Sequence, residues 1–410
     1  MRHYIRLLGI ALFLSLLVPI HAQQGQESEP DMEKAWELRV KKLRGGTLTP
    51  EEIALIQRVD AYRRKFWEVR KKQRQGDTLT PEEDTFLKRA LESRRKNTEA
   101  YRKVNPPRES TGRVPLTELG KNTYKGQEGG LYPGGRNTPP EPHLKAGLAQ
   151  AGQIVPRNGA GEPSEGGKIV LLSIGMSNTT QEFRVFKKVA ERDSALHPNL
   201  VIVDGAQGGQ SAELTRVPEA RYWKFVDGRM GEANVTAKQV QAVWIKQAIQ
   251  RPQRPFPVEA KTLQNDLVAN LHILAGRFPN LKIAYLSSRI YAGYTNSPLN
   301  PEPFAYEDGF AIKWLIADQM AGNSELNYDP TKGTVRSPWL AWGPYLWADG
   351  ITPRSDGLTY TREDLAGDGT HPSASGQEKV ANLILTFLKN DPTARPWFLS
   401  TGTARALGSR

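Results

Sequence analysis

From residue 168 onward the sequence predicts an α/β fold built on a central parallel sheet, preceded by a small all-α helical region. Three observations carry that expectation. Apolar runs alternate with helix-patterned segments, a 31-residue stretch occurs twice in tandem, and a Pro/Gly-rich segment divides the two textures.

The strand-like runs are KIVLLSI (168–174), NLVIVDG (199–205), QAVWIKQA (241–248) and LKIAYLSS (281–288). Each is short and apolar without strict alternation, the pattern of a parallel strand buried on both faces. A helix pattern begins at Thr180. Between the last two strands Leu263, Leu267, Leu271, Leu274 and Phe278 recur at steps of four, four, three and four, marking one face of a helix. A final helix is expected over 374–388, burying Val380, Ile384, Phe387 and Leu388. In such sheets ligands gather beyond the carboxyl ends of the strands.

Residues 36–66 align without gaps to residues 67–97, with 15 identities in 31. Both copies contain TLTPEE. There Thr49 and Thr80 are set to cap a helix, Pro50 and Pro81 to open it, and Glu52 and Glu83 to complete a reciprocal capping box. Gly45, Gly46 and Gly76 stand just upstream, where a preceding helix ends. Each copy therefore reads as helix–turn–helix. Residues 31–103 hold 20 basic and 13 acidic residues, so this segment carries +7 of the chain's +12. Beside Trp36, Tyr62, Phe66 and Trp67, that charge reads either as a contact for a polyanion or cell surface, or as the solvated face of a helical core. Acidic residues alternate with the basic ones and no nucleic-acid motif accompanies them, which argues against a nucleic-acid partner.

The 410 residues contain no cysteine, which excludes thiol nucleophiles, Cys-ligated zinc, iron–sulfur clusters and disulfides. Arg2 and Arg6, an apolar run over 7–20 and a site ending in His21 and Ala22 form the pattern of a secretory signal over 1–22. The run is shorter than the roughly 20 residues that span a bilayer. The expectation is an exported chain, secreted or periplasmic, with no membrane span after cleavage; the alternative reading of the run is an uncleaved anchor. The organisation expected is a helical region over 23–104, a Pro/Gly-rich linker and irregular entry over 105–167, a catalytic domain over 168–393 and a tail over 394–410.

Two short motifs bear chemistry. G-M-S-N (175–178) follows the first strand and puts Ser177 on the strand-to-helix turn. D-G-T-H-P (368–372) precedes the last helix and sets Asp368 three residues before His371. A serine hydroxyl is a useful nucleophile near neutral pH only beside a base; imidazole suits that role, and a carboxylate on its other nitrogen fixes the tautomer. Of the six histidines, His3 and His21 fall in the leader, His143 in the Pro-rich entry, His197 after a helix and His272 inside one. His371 alone sits in a loop at an expected strand end beside a carboxylate.

Together these motifs resemble the SGNH or GDSL-type serine esterase superfamily, above all its carbohydrate-esterase branch, whose first block reads G-Q-S-N. The resemblance covers about residues 112–393. It implies a three-layer α/β sandwich and a serine esterase without a cofactor, with Ser177 as nucleophile, His371 as general base and Asp368 as orienting acid. The substrate it implies is an ester, an acetyl group on a polysaccharide. For the oxyanion hole it implies the Ser177 amide and a glycine amide from the second block, D-G-A-Q-G-G-Q-S, where Gly209 is the match and Gly208 a close rival. It also implies an asparagine side chain from a third block, G-x-N-D. Here that block reads V-W-I-K-Q-A (243–248), leaving Gln247 as the available amide and Lys246 as a nearby charge. This departure motivates a second reading, a catalytically degenerate domain that binds glycan or scaffolds other proteins.

No His/Asp/Glu cluster has metal-ligand spacing, and GAQGG lacks the Lys-Ser/Thr of a phosphate loop. Residues 285–350 are rich in aromatics. SRIYAG (288–293) and WGPYLWADG (342–350) are the loops expected to offer two or three rings to a sugar.

Overall fold

The computed structural model describes residues 29–400, so the leader expected over 1–22 and the last ten residues of the expected tail lie outside the described residues. The described chain divides into two compact units, 29–38 with 49–90, and 39–48 with 91–400.

The smaller unit is built from helices α1 (Met32–Leu43), α2 (Pro50–Gln75) and α3 (Pro81–Val104), of which α1 and α3 continue into the larger one. Both TLTPEE segments form the expected reciprocal caps. Thr49 N donates to the Glu52 carboxylate at 2.8 Å and Glu52 N to Thr49 Oγ1 at 3.2 Å; Thr80 and Glu83 repeat this at 3.0 and 3.2 Å. The expectation of two separate helix–turn–helix copies is corrected in one respect. The second helix of copy one and the first of copy two are a single 26-residue rod, because no Gly or Pro interrupts the stretch between Pro50 and Gly76. Val59, Phe66 and Val69 are buried on one side of that rod, and Tyr62 meets Phe86 edge-on at 5.2 Å.

The larger unit carries a five-stranded sheet, all parallel: β1 (Ile169–Gly175), β2 (Leu200–Asp204), β3 (Val240–Lys246), β4 (Ile283–Leu286) and β5 (Trp339–Trp342), in the order β2-β1-β3-β4-β5. Four of these follow the sequence-expected runs. Connecting helices are α4 (Ser177–Ala190) after β1, α5 (Arg221–Glu232) after β2, α6 (Val258–Arg277) after β3 and α7 (Phe304–Met320) after β4, and α8 (Ala374–Asn390) follows β5. Because β1 steps one way to β2 and every later crossover steps the other way, right-handed connections put α4 on one face of the sheet and α5, α6 and α7 on the other. Helix α8 packs on α4. The result is the three-layer α/β sandwich that the resemblance implied. Among the described residues no helix is long and apolar enough to cross a membrane.

Two expected boundaries move. Residues 105–167 are not a linker: Leu116, Leu131, Tyr132 and Ile154 are buried in the main core, and the Asp349 carboxylate accepts from Thr111 N and Gly112 N at 2.8 and 2.7 Å. The expected tail likewise begins inside the fold. Trp397, Phe398 and Leu399 are buried, and His197 N donates to the Phe398 carbonyl at 2.9 Å.

Candidate active site

Strand β1 lies between β2 and β3, where the connections reverse direction, and its carboxyl end is the crevice such a sheet offers a ligand. The turn there is forced to be sharp. A Cβ on Gly175 would run into the Lys246 carbonyl and Thr179 Oγ1, so only glycine lets β1 approach β3 this closely. Thr179 Oγ1 donates to the Lys246 carbonyl at 2.7 Å and accepts from Met176 N at 3.2 Å, which fixes the residues on both sides of Ser177. Ser177 then opens α4, in the first turn where amides lack partners within the helix and the dipole is positive.

The structure brings the two motifs together. Ser177 Oγ is 2.8 Å from His371 Nε2, and His371 Nδ1 is 2.6 Å from Asp368 Oδ2. With Nδ1–H donated to the carboxylate, Nε2 is left as the acceptor for the serine proton. Asp368 Oδ1 accepts from Thr370 N and His371 N at 2.9 and 3.0 Å. Partial burial works against the charged carboxylate, but the His371 side chain and these two amides outweigh it and bring Asp368 down to about 2. His371 and Asp368 keep 23% and 41% of their side-chain surface, so a substrate can reach the serine–imidazole pair from solvent.

Of the residues expected to meet an oxyanion, only some lie beside Ser177. The segment after β2 makes a tight turn closed by Gln210 N on the Gln207 carbonyl at 3.2 Å, with Gly209 at φ 76°, a value that favours glycine at the third position of such a turn. Gly208 lies directly beside Ser177: a Cβ there would sit 3.7 Å from Ser177 Cβ. Gln247 is buried, and its Nε2 donates to Thr215 Oγ1 at 3.1 Å, a bond that lends no support to an oxyanion role. Lys246 offers no accessible charge either. Its Nζ is fully buried against the Glu182 carboxylate at 2.6 Å.

That buried pair, and its neighbour Arg289, were not foreseen. Desolvation pushes the Lys246 amine down to about 8 and the Glu182 carboxyl up, both toward neutrality. Arg289 is 1% exposed, and its Nη2 lies 3.5 Å from the Thr370 carbonyl next to His371. The only sequence signal was a lysine inside an otherwise apolar strand. Asp204, at the end of β2, was also missed; it accepts from Ser173 Oγ at 2.8 Å and Thr180 Oγ1 at 2.5 Å and so ties α4 to the sheet.

The aromatic loops do not form the expected sugar platform. Tyr291, Tyr294, Trp342, Tyr345 and Trp347 are all buried, and Trp347 Nε1 donates to Glu302 Oε1 at 2.8 Å. A cavity of about 670 Å³ is lined by residues such as His143, Asn327 and Tyr328 and by none of Ser177, Asp368 or His371. Among the described residues no group of three His, Asp or Glu is placed to hold a metal ion.

No known protein family matches the chain, and no curated protein does. Several solved structures align with it, two of them as follows. One is protein YxiM from Bacillus subtilis, at 11% identity over 54% of this chain and 56% of that one, with a TM-score of 0.30. The other is the periplasmic domain of a lipopolysaccharide acetyltransferase from Salmonella ser. Paratyphi A, at 14% identity over 60% and 95% of the two chains, also with a TM-score of 0.30. The chain thus spans little more than half the length of the first.

Proposed function

We propose that the chain is an exported serine esterase that hydrolyses a carboxylic ester, an acetyl group on a carbohydrate, through Ser177, His371 and Asp368. The observation that carries this reading is the continuous relay Ser177–His371–Asp368 at 2.8 and 2.6 Å on the carboxyl end of the central strand. In the reaction Ser177 Oγ attacks the ester carbonyl while His371 Nε2 takes its proton. The tetrahedral oxyanion is met by the Ser177 amide and a glycine amide of the 208–209 turn. Collapse expels the alcohol, which takes the proton from His371, and leaves an acyl-serine. Water, deprotonated by the same imidazole, then releases the acid. Asp368 keeps the imidazole in the productive tautomer and balances its charge. Sequence resemblance supports the acetyl-carbohydrate substrate, and the apolar leader supports export.

The bond from Gln247 to Thr215 favours a second reading, a domain that has lost its third oxyanion donor and binds glycan without cleaving it. Losing one such donor costs about 10²–10³ in rate. Hydrolysis of p-nitrophenyl acetate, with fluorophosphonate labelling, by the parent and by Ser177→Ala separates the two. The esterase reading expects turnover and labelling that vanish in the variant; an unreactive parent would leave the binding reading standing.

A further inference from the structure

Charge is unevenly distributed along α2. Residues 50–62 hold Glu51, Glu52 and Asp60 against Arg58 alone, whereas residues 63–75 hold Arg63, Arg64, Lys65, Arg70, Lys71, Lys72 and Arg74 against Glu68 alone. The helix dipole welcomes cations in the last turn only, so it accounts for part of this excess and not for Arg63 to Lys65. Packing engages others, at least two of them against α3. Lys72 Nζ is 2.6 Å from the Glu83 carboxylate and Lys65 Nζ lies 4.8 Å from the Phe86 ring, both on the side facing α3. At 3.6 residues per turn, Arg63, Trp67, Lys71 and Arg74 line up on the other side, with Arg64 at its edge. All five are exposed, and Trp67 shows 54% of its surface.

We propose that this face of α2 is a docking surface for an acidic polysaccharide. The indole offers a flat apolar platform to a sugar ring, and the guanidinium groups on either side pair with acidic groups along the polymer. Arg63 and Arg74 stand about 16 Å apart along the axis at 1.5 Å per residue, so an extended polyanion meets every cation at once where a small anion meets one or two. A lipid surface fits less well, because one ring among cations is not the apolar stripe that interfacial helices bury. Single-stranded nucleic acid fits less well too, because successive bases stack on several rings and one is offered here. The choice of a polysaccharide rests on the substrate class proposed above; the cationic face itself does not involve Ser177.

The test uses the full chain on immobilised polygalacturonate, with single-stranded DNA and phosphatidylglycerol vesicles as competing probes at equal salt. The surface predicts retention of the parent and of Ser177→Ala alike, released by added salt. The combined variant R63Q/R64Q/K71Q/R74Q should bind more than about tenfold more weakly, since screened surface charges act together. W67A should bind more weakly with its salt dependence intact. Circular dichroism of both variants should match the parent, and W67A, which alters no charge, stands in if the combined variant does not fold. Unchanged binding in the variants, or a parent that prefers DNA or vesicles, overturns the proposal. Because Ser177→Ala must bind like the parent, a failed esterase reading leaves this result legible.

Discussion

Asn178 Nδ2 donates to the Thr370 carbonyl at 2.8 Å, so the residue after the candidate nucleophile grips the residue before the candidate base. Both residues are buried, at 1% exposure each, and Arg289 approaches the same oxygen from the sheet. The bond crosses the gap between two segments nearly two hundred positions apart and sets the span over which Ser177 Oγ must meet His371.

Asn178→Ala is therefore expected to harm alignment more than folding. A buried carbonyl losing its donor costs about 1–3 kcal/mol. Slippage of the imidazole should lower kcat by roughly 10²-fold, with KM little changed, since geometry and not binding is lost. Steady-state kinetics on p-nitrophenyl acetate beside a urea titration would measure both. Equal kcat in variant and parent would mean the two loops hold their register without this bond.

For Asp368→Asn the expectation is a large loss of turnover with little change in stability. The carboxyl is depressed from 3.8 to about 2 in the folded chain, so its contribution is present above the unfolded value and lost as pH falls from about 4 toward 2. At 41% exposure that contribution is screened by solvent and small. Catalysis depends on it far more, because an amide orients the wrong tautomer; a loss of about 10⁴ in kcat is the expected scale. Thermal melts of the two proteins should nearly coincide at neutral pH while their turnover differs widely. Similar turnover would remove Asp368 from the relay.

Much of this site was legible because its parts are local. Gly175 to Asn178 and Asp368 to His371 each sit where a strand or loop meets a helix, and chemistry restricts which residues serve there. The rest depends on long-range contacts that no pattern records. Strand β5 is four residues, WLAW, inside an aromatic run, and its rings are buried by α7 and the 116–154 segment rather than offered to a ligand. Thr111 and Gly112 looked like linker because their partner, Asp349, lies more than two hundred residues away. Lys246 read as a stray charge near the third block; only the fold shows Glu182 waiting one and a half turns into α4.

Removing one member of that buried pair should cost more than removing both. Lys246→Met strands Glu182 without its cation, a change on the scale of about 3–5 kcal/mol, whereas replacing both charges by apolar groups is often near neutral. A double-mutant cycle with Glu182→Met, read by chemical denaturation, should therefore show the double variant more stable than Lys246→Met alone. Simple additivity would deny the pair a role in holding α4 against β3.

Glu213 gives a pH dependence with a definite sign. Its Oε1 accepts from Gln250 N at 2.9 Å, while Oε2 is buried with no hydrogen-bond partner among the described residues. Burial, with the nearby Asp266 charge adding to it, raises the carboxyl to about 8. The folded chain thus holds a proton that the unfolded chain releases near 4.5, so this group's contribution is complete below that value and is lost as pH rises toward 8. Glu213→Gln keeps the shape and stays neutral throughout. Between pH 5 and 8 the parent should lose stability relative to the variant, on the order of a few kcal/mol. Denaturation curves of parent and variant that run parallel from pH 5 to 8 would mean Glu213 ionises without cost, through a water or counter-charge reaching Oε2.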